Sequence, residues 1–345
     1  MYITWRDSAF RLTGRWSRLE KDIHDPHYFK DIPCKAAVTT APGSSFELAF
    51  EGDMVLLHFE LLQEAYPAPH LWLSLDGGAR FEAQVDRYIR VAAPDAGKHI
   101  LQVYFKGAME MQHRWYAPQI GRVALLGADV PKPGVLPADN RPLIEFVGDS
   151  ITEGVLIDTD YDTVPAHKED QMNRPYQDDN LATYGFLTAK ALNMRYMCQA
   201  YGASGMTRVG CGGIPRAALV YPYVFERCPY TGDHPDVIVI NHGCNDRNNP
   251  EDYLTRYEEF LDQAFLLHPN AVIIALSAFI GAYDKELSEF IPAYAEKKQA
   301  RVYFVSSKGW VPAEPLHPMR DGHRAIADHF IPLVKDILVK EGVLK

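Results

Sequence analysis

Cysteine is scarce in this chain. There are five in 345 residues, Cys34, Cys198, Cys211, Cys228 and Cys244, odd in number and without a C-x-x-C pair. That argues against a disulfide framework and for reduced thiols. Positive charge is also short: 35 Lys and Arg stand against 45 Asp and Glu, for a formal net charge of −10. Nucleic acid and anionic membrane both need a basic face, so neither is expected as a partner. No apolar run approaches the ~20 residues of a membrane span. The start, Met1-Tyr2-Ile3-Thr4-Trp5-Arg6-Asp7, lacks a basic stretch followed by an apolar one, and no secretory signal is read there. The expectation is a cytoplasmic protein acting on a neutral small molecule, with homo-oligomerisation left open. What is present is ordinary globular material, 47% hydrophobic and 23% charged, over a length that favours two domains.

Residues 1–130 read as β. Ser45 to Phe50 alternates, Met54 to Phe59 is a second short strand, and Leu71 to Leu75 runs into the hairpin-type turn Asp76-Gly77-Gly78 before Arg80 to Val85. His99 to Phe105 and Ile120 to Leu126 follow, and the set predicts a β-sandwich or jelly roll. Residues 131–142, rich in proline and glycine, read as a linker. Residues 143–345 then alternate strand and helix. Strands are predicted at 143–147, 195–200, 237–241, 271–276 and 302–305, with helices near 182–193, 251–267, 284–299 and 321–340. Strands that are apolar throughout imply a parallel sheet covered on both faces, so the fold class is α/β with an amino-terminal β domain. The polar, acidic stretch 156–180 fits neither pattern and is long for a connection. Close behind Ser150, it reads as a loop shaping the site, or else as a solvated insertion.

Gly148-Asp149-Ser150 ends the first of those strands, and ligands in open α/β folds are handled at the carboxyl edge of the sheet. A serine hydroxyl needs a base to take its proton, and His317 is the candidate. Glu314, three residues earlier, is placed on the same side of one turn, where it could fix the imidazole tautomer. Acyl transfer also needs donors aimed at the developing oxyanion. Gly205 and Asn245, each just past a strand end, can join the Ser150 N–H to make a three-donor hole. Asp149 reads as a supporting residue whose carboxylate bonds nearby backbone N–H groups, and Asp246 as a brace for the loop that carries Asn245. The elbow G-x-S-x-G of ordinary α/β-hydrolases is absent, because Thr152 stands where its last glycine would be.

Gly148-Asp149-Ser150, Gly205, Gly243-x-Asn245-Asp246 and Glu314-x-x-His317-Pro318 resemble, in order, the four blocks of the SGNH (GDSL-type) hydrolases. The resemblance covers residues 143–335. It implies a flavodoxin-like three-layer α/β/α domain, Ser150 as nucleophile, His317 as base, and an oxyanion hole from the Ser150 and Gly205 N–H groups and the Asn245 amide. No metal or organic cofactor is implied. Ile151 replaces the usual leucine, and Glu314 the usual aspartate, so a dyad with a backbone carbonyl orienting His317 is the alternative. With the β domain, Gly127-Ala128-Asp129 and the proline-rich linker ahead of the serine, the chain looks like carbohydrate esterase family two, whose members remove O-acetyl groups from polysaccharides or oligosaccharides. An acetylated sugar or oligosaccharide is then the expected substrate. The rival readings are an SGNH lipase, lysophospholipase or thioesterase for longer acyl chains, and a non-catalytic carbohydrate-binding protein.

Other residues carry plainer readings. Trp5, Trp16, Trp72 and Trp115 read as core, with sugar stacking as the alternative. Asp158, Asp160, Asp162, Asp178 and Asp179 read as a solvated run, with calcium as the alternative. His323 and His329 read as helix residues, and His242, Cys244 and Asp246 lack a fourth partner for a metal.

Overall fold

A computed structural model describes residues 1–18, 23–25, 30–32, 35–62, 66–159 and 174–345. Among the described residues the amino-terminal part has two large antiparallel sheets and a separate two-stranded one, Ile23–Asp25 against Lys30–Ile32. In the first, Tyr2–Thr4, Val123–Asp129, Met54–Phe59 and Tyr88–Ala92 lie side by side, and Ala37–Thr39 also pairs with Val123–Asp129. The second runs Lys132–Pro133, Ser45–Glu51, Lys98–Gly107, His70–Leu75, Phe81–Gln84, with Phe10–Thr13 against Ser45–Glu51. Strand period two turns every second residue inward. Phe46, Leu48, Phe50, Leu101, Val103 and Phe105 from one sheet therefore meet Val55, Leu57, Phe59 and Leu125 from the other in one buried core. The Asp76-Gly77 turn joins an antiparallel pair as expected, with both residues at positive φ, 53° and 71°. Trp5, Trp16 and Trp115 are buried, at 8%, 1% and 7% exposure, so their rings fill core space and are not open to a sugar. The proline-rich stretch is not wholly a linker: Lys132 and Pro133 pair with Glu51 and Phe50 as an edge strand of the second sheet.

The rest of the chain is a three-layer α/β/α unit. Its five parallel strands lie in the order Arg195–Ala200, Leu143–Gly148, Val237–Asn241, Val272–Leu276, Val302–Val305. Numbered along the chain, this is 2-1-3-4-5, the flavodoxin-like arrangement whose switch point falls between the first and third strands. The helices Tyr184–Ala191 and Arg320–Lys340 cover one face, bringing Tyr184, Ile326, Phe330 and Val334 onto Ile144 and Phe146. Pro250–Leu267 and Asp284–Lys298 cover the other, packing Tyr257, Phe260, Leu287 and Ile291 on Ile238 and Ile240. Among the described residues no helix is long and apolar enough to cross a membrane.

One residue in the first parallel strand is not apolar. Glu145 is fully buried, and its partner comes from the sandwich: Arg15 Nε donates to Glu145 Oε1 at 2.7 Å, while the Tyr221 hydroxyl donates to Oε2 at 2.9 Å. Arg15 also donates to the Tyr221 carbonyl at 2.7 Å. A charge this deep is tolerable only when paired and hydrogen-bonded, so the pair ties the two halves together at the middle of the sheet.

Candidate active site

The switch point carries the serine. Gly148 ends its strand where an added Cβ would stand 2.2 Å from Thr152 Oγ1 and 2.9 Å from the Asn241 carbonyl, so only glycine allows the chain to turn there. Asp149 caps the short helix Ser150–Glu153 by accepting from the Ile151 N–H at 3.0 Å. Gly154 closes that helix at φ 87°. Ser150 is the first helical residue, so its N–H has no intrahelical acceptor. His317 reaches the same point from the loop before the helix Arg320–Lys340, and its Nε2 lies 2.9 Å from Ser150 Oγ. With Nδ1 protonated, the hydroxyl donates to Nε2, the geometry a general base requires. Two segments 167 positions apart are thus brought together as the motifs predicted.

The acid does not follow. Glu314 is exposed and makes no hydrogen bond or ion pair with His317. Its three-residue spacing would stack the two side chains only in a helix, but residues 314–317 are irregular and the helix begins at Arg320. The expected triad acid is therefore not assembled.

The oxyanion donors divide as well. Asn245, beyond the strand Val237–Asn241, points its amide at the serine's neighbourhood: Nδ2 donates to the Ser204 carbonyl at 3.0 Å and lies 3.5 Å from Asp149 Oδ2. The Gly205 N–H instead donates to the Arg208 carbonyl at 3.1 Å. Of the three donors expected from sequence, the Gly205 N–H is committed to a carbonyl, the Asn245 amide gives one N–H to the Ser204 carbonyl, and the Ser150 N–H has no intrahelical acceptor. Gly205 is a glycine for another reason. A Cβ there would come within 2.5 Å of Asp246 Oδ1. Asp246 needs that approach because its buried carboxylate accepts from the Met206 and Thr207 N–H groups, at 3.1 and 2.7 Å, and from the Thr207 hydroxyl at 2.7 Å. Asp246 was expected to brace the loop of Asn245; its carboxylate braces the facing loop. That commitment also removes it from a metal set with His242 and Cys244, and among the described residues no cluster of His, Cys, Asp or Glu is arranged to hold a metal.

Burial sets the protonation of the site's inner wall. Asp149 is pushed up to about 7 by desolvation, against the pull of the Ile151 N–H and with a further push from the Asp246 charge. His323 is held down to about 3 by burial, then by the neighbouring His317 and Arg320. Its Nδ1 accepts from the Tyr184 N–H at 3.2 Å. His329 stacks on Trp310, centroids 5.5 Å apart. Both histidines are helix residues, as read from sequence.

Residues that the motifs did not single out complete the frame. Glu153, three positions after the serine, is buried against Arg114 of the sandwich, which donates to both carboxylate oxygens. Glu153 Oε2 in turn accepts from the Gly202 N–H at 2.7 Å, fixing the loop that leads to Gly205. An acid inside a buried turn was the available signal, since such residues are rarely buried without a partner. The acidic insertion is pinned at both ends. Arg320 pairs with Asp158 at 2.5 Å and with Asp179 at 2.9 Å, Trp72 Nε1 donates to Asp179 at 3.0 Å, and Asp178 accepts from the Leu156 N–H at 2.7 Å. Asp178 and Asp179 are each 2% exposed, so they are structural residues and not part of a solvated run. Asp160 and Asp162 lie outside the described residues.

No family model matches the chain. An acetylxylan esterase / glucomannan deacetylase of Cellvibrio japonicus (strain Ueda107) is 26% identical over 263 residues, covering 71% of this chain and 69% of that protein. Among solved structures, a family two carbohydrate esterase from Cellvibrio japonicus superposes with a TM-score of 0.75 at 21% identity, covering 98% of both chains. A family two carbohydrate esterase from Clostridium thermocellum in complex with cellohexaose gives 0.70 at 22% identity, over 97% of this chain and 100% of that one. The likeness extends through the sandwich and the parallel-sheet domain alike.

Proposed function

We propose that this chain, similar to the carbohydrate esterases of family two, is an SGNH-type carboxylic ester hydrolase that removes O-acetyl groups from acetylated carbohydrate through an acyl-enzyme on Ser150. The observation that carries the residue roles is the 2.9 Å contact between His317 Nε2 and Ser150 Oγ. As Oγ attacks the acetyl carbonyl, its proton passes to Nε2 and the carbonyl oxygen becomes an oxyanion. The Ser150 N–H and Asn245 amide receive that charge; a donor of this kind is worth roughly 3–4 kcal/mol. Collapse of the tetrahedral intermediate breaks the bond to the sugar oxygen, which takes the proton from His317. Water, deprotonated by the same nitrogen, then attacks the acetyl-serine; collapse breaks the acyl–Oγ bond, Oγ recovers the proton from His317, and acetate leaves. The cellohexaose bound to the Clostridium thermocellum relative supports a saccharide as the leaving alcohol.

Acetate release from a panel of acetylated mono- and oligosaccharides tests this reading. Ser150→Ala and His317→Ala are each expected to lower kcat by about four orders of magnitude or more. A wild-type chain without esterase activity would overturn it in favour of a binding protein. Faster turnover of p-nitrophenyl octanoate than of p-nitrophenyl acetate would overturn it in favour of a longer-chain esterase. We place the protein in the cytoplasm as part of the same proposal. The free thiols of Cys198, Cys211, Cys228 and Cys244 support a reducing compartment, and cell fractionation checks it.

A further inference from the structure

A cleft of about 400 Å³ lies between the outer face of the second sandwich sheet and the helix Tyr184–Ala191. Strand register sets a polar row along its floor, with Glu47 opposite Gln102 and Gln102 opposite Ser74. Tyr104 and Phe186 form an aromatic corner, edge to face with centroids 6.1 Å apart. The cleft borders Met194 and Arg195, at the amino end of the strand Arg195–Ala200, whereas Ser150 and His317 sit beyond the carboxyl ends of the sheet. Five rises of ~3.3 Å separate the two ends, about 17 Å. No step of ester hydrolysis reaches it.

Charge in this cleft is unbalanced. Glu47 is paired with Arg11, Asp139 with Arg141, and Arg195 with Asp233. Among the described residues Arg80 meets no carboxylate. Its guanidinium lies instead over the rings of Tyr104 and Phe186, 5.9 and 5.0 Å from their centroids. Lys190, on the helix wall, makes no ion pair among the described residues. Two cations without an ion-pair partner among the described residues thus line a polar and aromatic cleft in a chain whose net charge is −10. An arginine held by two aromatic faces has lost much of its freedom already, so less order remains to be imposed when a planar carboxylate meets it.

We propose that the cleft is a second, non-catalytic sugar site that takes a carboxylate-bearing unit, a uronic acid, of an oligosaccharide. Arg80 receives the carboxylate, with Lys190 adding charge, and Gln102 meets ring hydroxyls with its amide, which both donates and accepts. The choice of a saccharide rests on the carbohydrate esterase reading; the cationic cleft does not.

Titration calorimetry on full-length Ser150→Ala, which cannot turn over, uses three probes: a glucuronic-acid-substituted xylo-oligosaccharide, its unsubstituted counterpart, and inorganic phosphate. The substituted sugar is expected to bind at least tenfold more tightly than the unsubstituted one. Arg80→Ala should abolish that preference, and Gln102→Ala should weaken sugar but not phosphate. In the wild-type background, Arg80→Ala should hydrolyse p-nitrophenyl acetate at an unchanged rate. Equal binding of the two sugars, a preference that survives Arg80→Ala, or phosphate binding as tight as the substituted sugar overturns the proposal. Loss of the esterase reading has a separate signature, no hydrolysis of p-nitrophenyl acetate by the wild type, and leaves the titration to judge the cleft.

Discussion

Two buried Arg–Glu pairs join the sandwich to the parallel-sheet half, and chemically they are near twins. Arg15–Glu145 is fully buried on both sides, and Arg114–Glu153 is 0% and 2% exposed. In each, the sandwich supplies the arginine and the elements flanking Ser150 supply the acid. They differ in what else the carboxylate holds. Glu145 accepts from the Tyr221 hydroxyl, inside the core, whereas Glu153 accepts from the Gly202 N–H, on the loop that follows the strand beside Ser150. The same desolvation problem is solved twice, once to dock two domains and once to set the site's geometry from that docking.

The sharpest way to break this comparison is to remove each arginine and measure stability and turnover together. Arg15→Ala strands Glu145 in the sheet without a counter-charge and should cost about 3–5 kcal/mol of unfolding free energy by denaturant titration. The folded fraction should keep a near-wild-type kcat, since nothing that Arg15 touches faces Ser150. Arg114→Ala should also destabilise the fold, but with a further drop of about tenfold in kcat at unchanged KM, ~1.4 kcal/mol of transition-state stabilisation. Equal kcat values for the two variants would reduce the second pair to another latch.

Neither pair was legible in the sequence, for a physical reason. Glu145 and Glu153 are visible as acids in apolar surroundings, but their partners lie 130 and 39 positions away on another domain, where no periodicity links them. What could be read was local. The strands Val237–Asn241 and Val302–Val305 match to the residue because unbroken apolar runs define them. The long helices match within about two residues, since their periodicity extends over several turns. Ser150 and His317 were legible because the strand order brings their motifs to one edge. Gly205 was expected to aim its N–H at the oxyanion, but that N–H goes to the Arg208 carbonyl and its missing Cβ makes room for Asp246.

A smaller effect separates the wall behind Ser150 from the latch by pH. His323 is neutral in the fold, held down to about 3 mainly by burial, whereas an unfolded histidine titrates near ~6.5. Below that value the unfolded chain binds a proton that the native chain refuses, so this residue's contribution falls as pH drops from about 6.5 toward 3. At pH 5 the loss is about 2 kcal/mol. His323→Gln removes that titration. Its stability relative to wild type should therefore improve between pH 7 and pH 5 by about that amount, measured by denaturant titration. Asp149, pushed up to about 7, works with the opposite sign, but it is present in both chains and drops out of the difference. A constant offset between the two proteins across this range would show that His323 keeps its ordinary titration in the fold.

The smallest predicted effect is at Glu314. Sequence spacing made it the acid behind His317, but it is exposed and has no hydrogen bond to the imidazole. Glu314→Ala should therefore behave as a surface substitution, within about 0.5 kcal/mol in stability and about twofold in kcat/KM. Its pH–rate profile should overlay that of the wild type, because nothing bonded to the base has changed. Arg114→Ala gives the contrast, since the buried acid it strands holds the loop that follows the strand beside Ser150. If Glu314→Ala instead lost a hundredfold in kcat and shifted the acidic limb of the profile, the 314–317 segment would have to close on His317 during turnover. Glu314, and not the Glu153 brace, would then be the carboxylate that matters most to the chemistry.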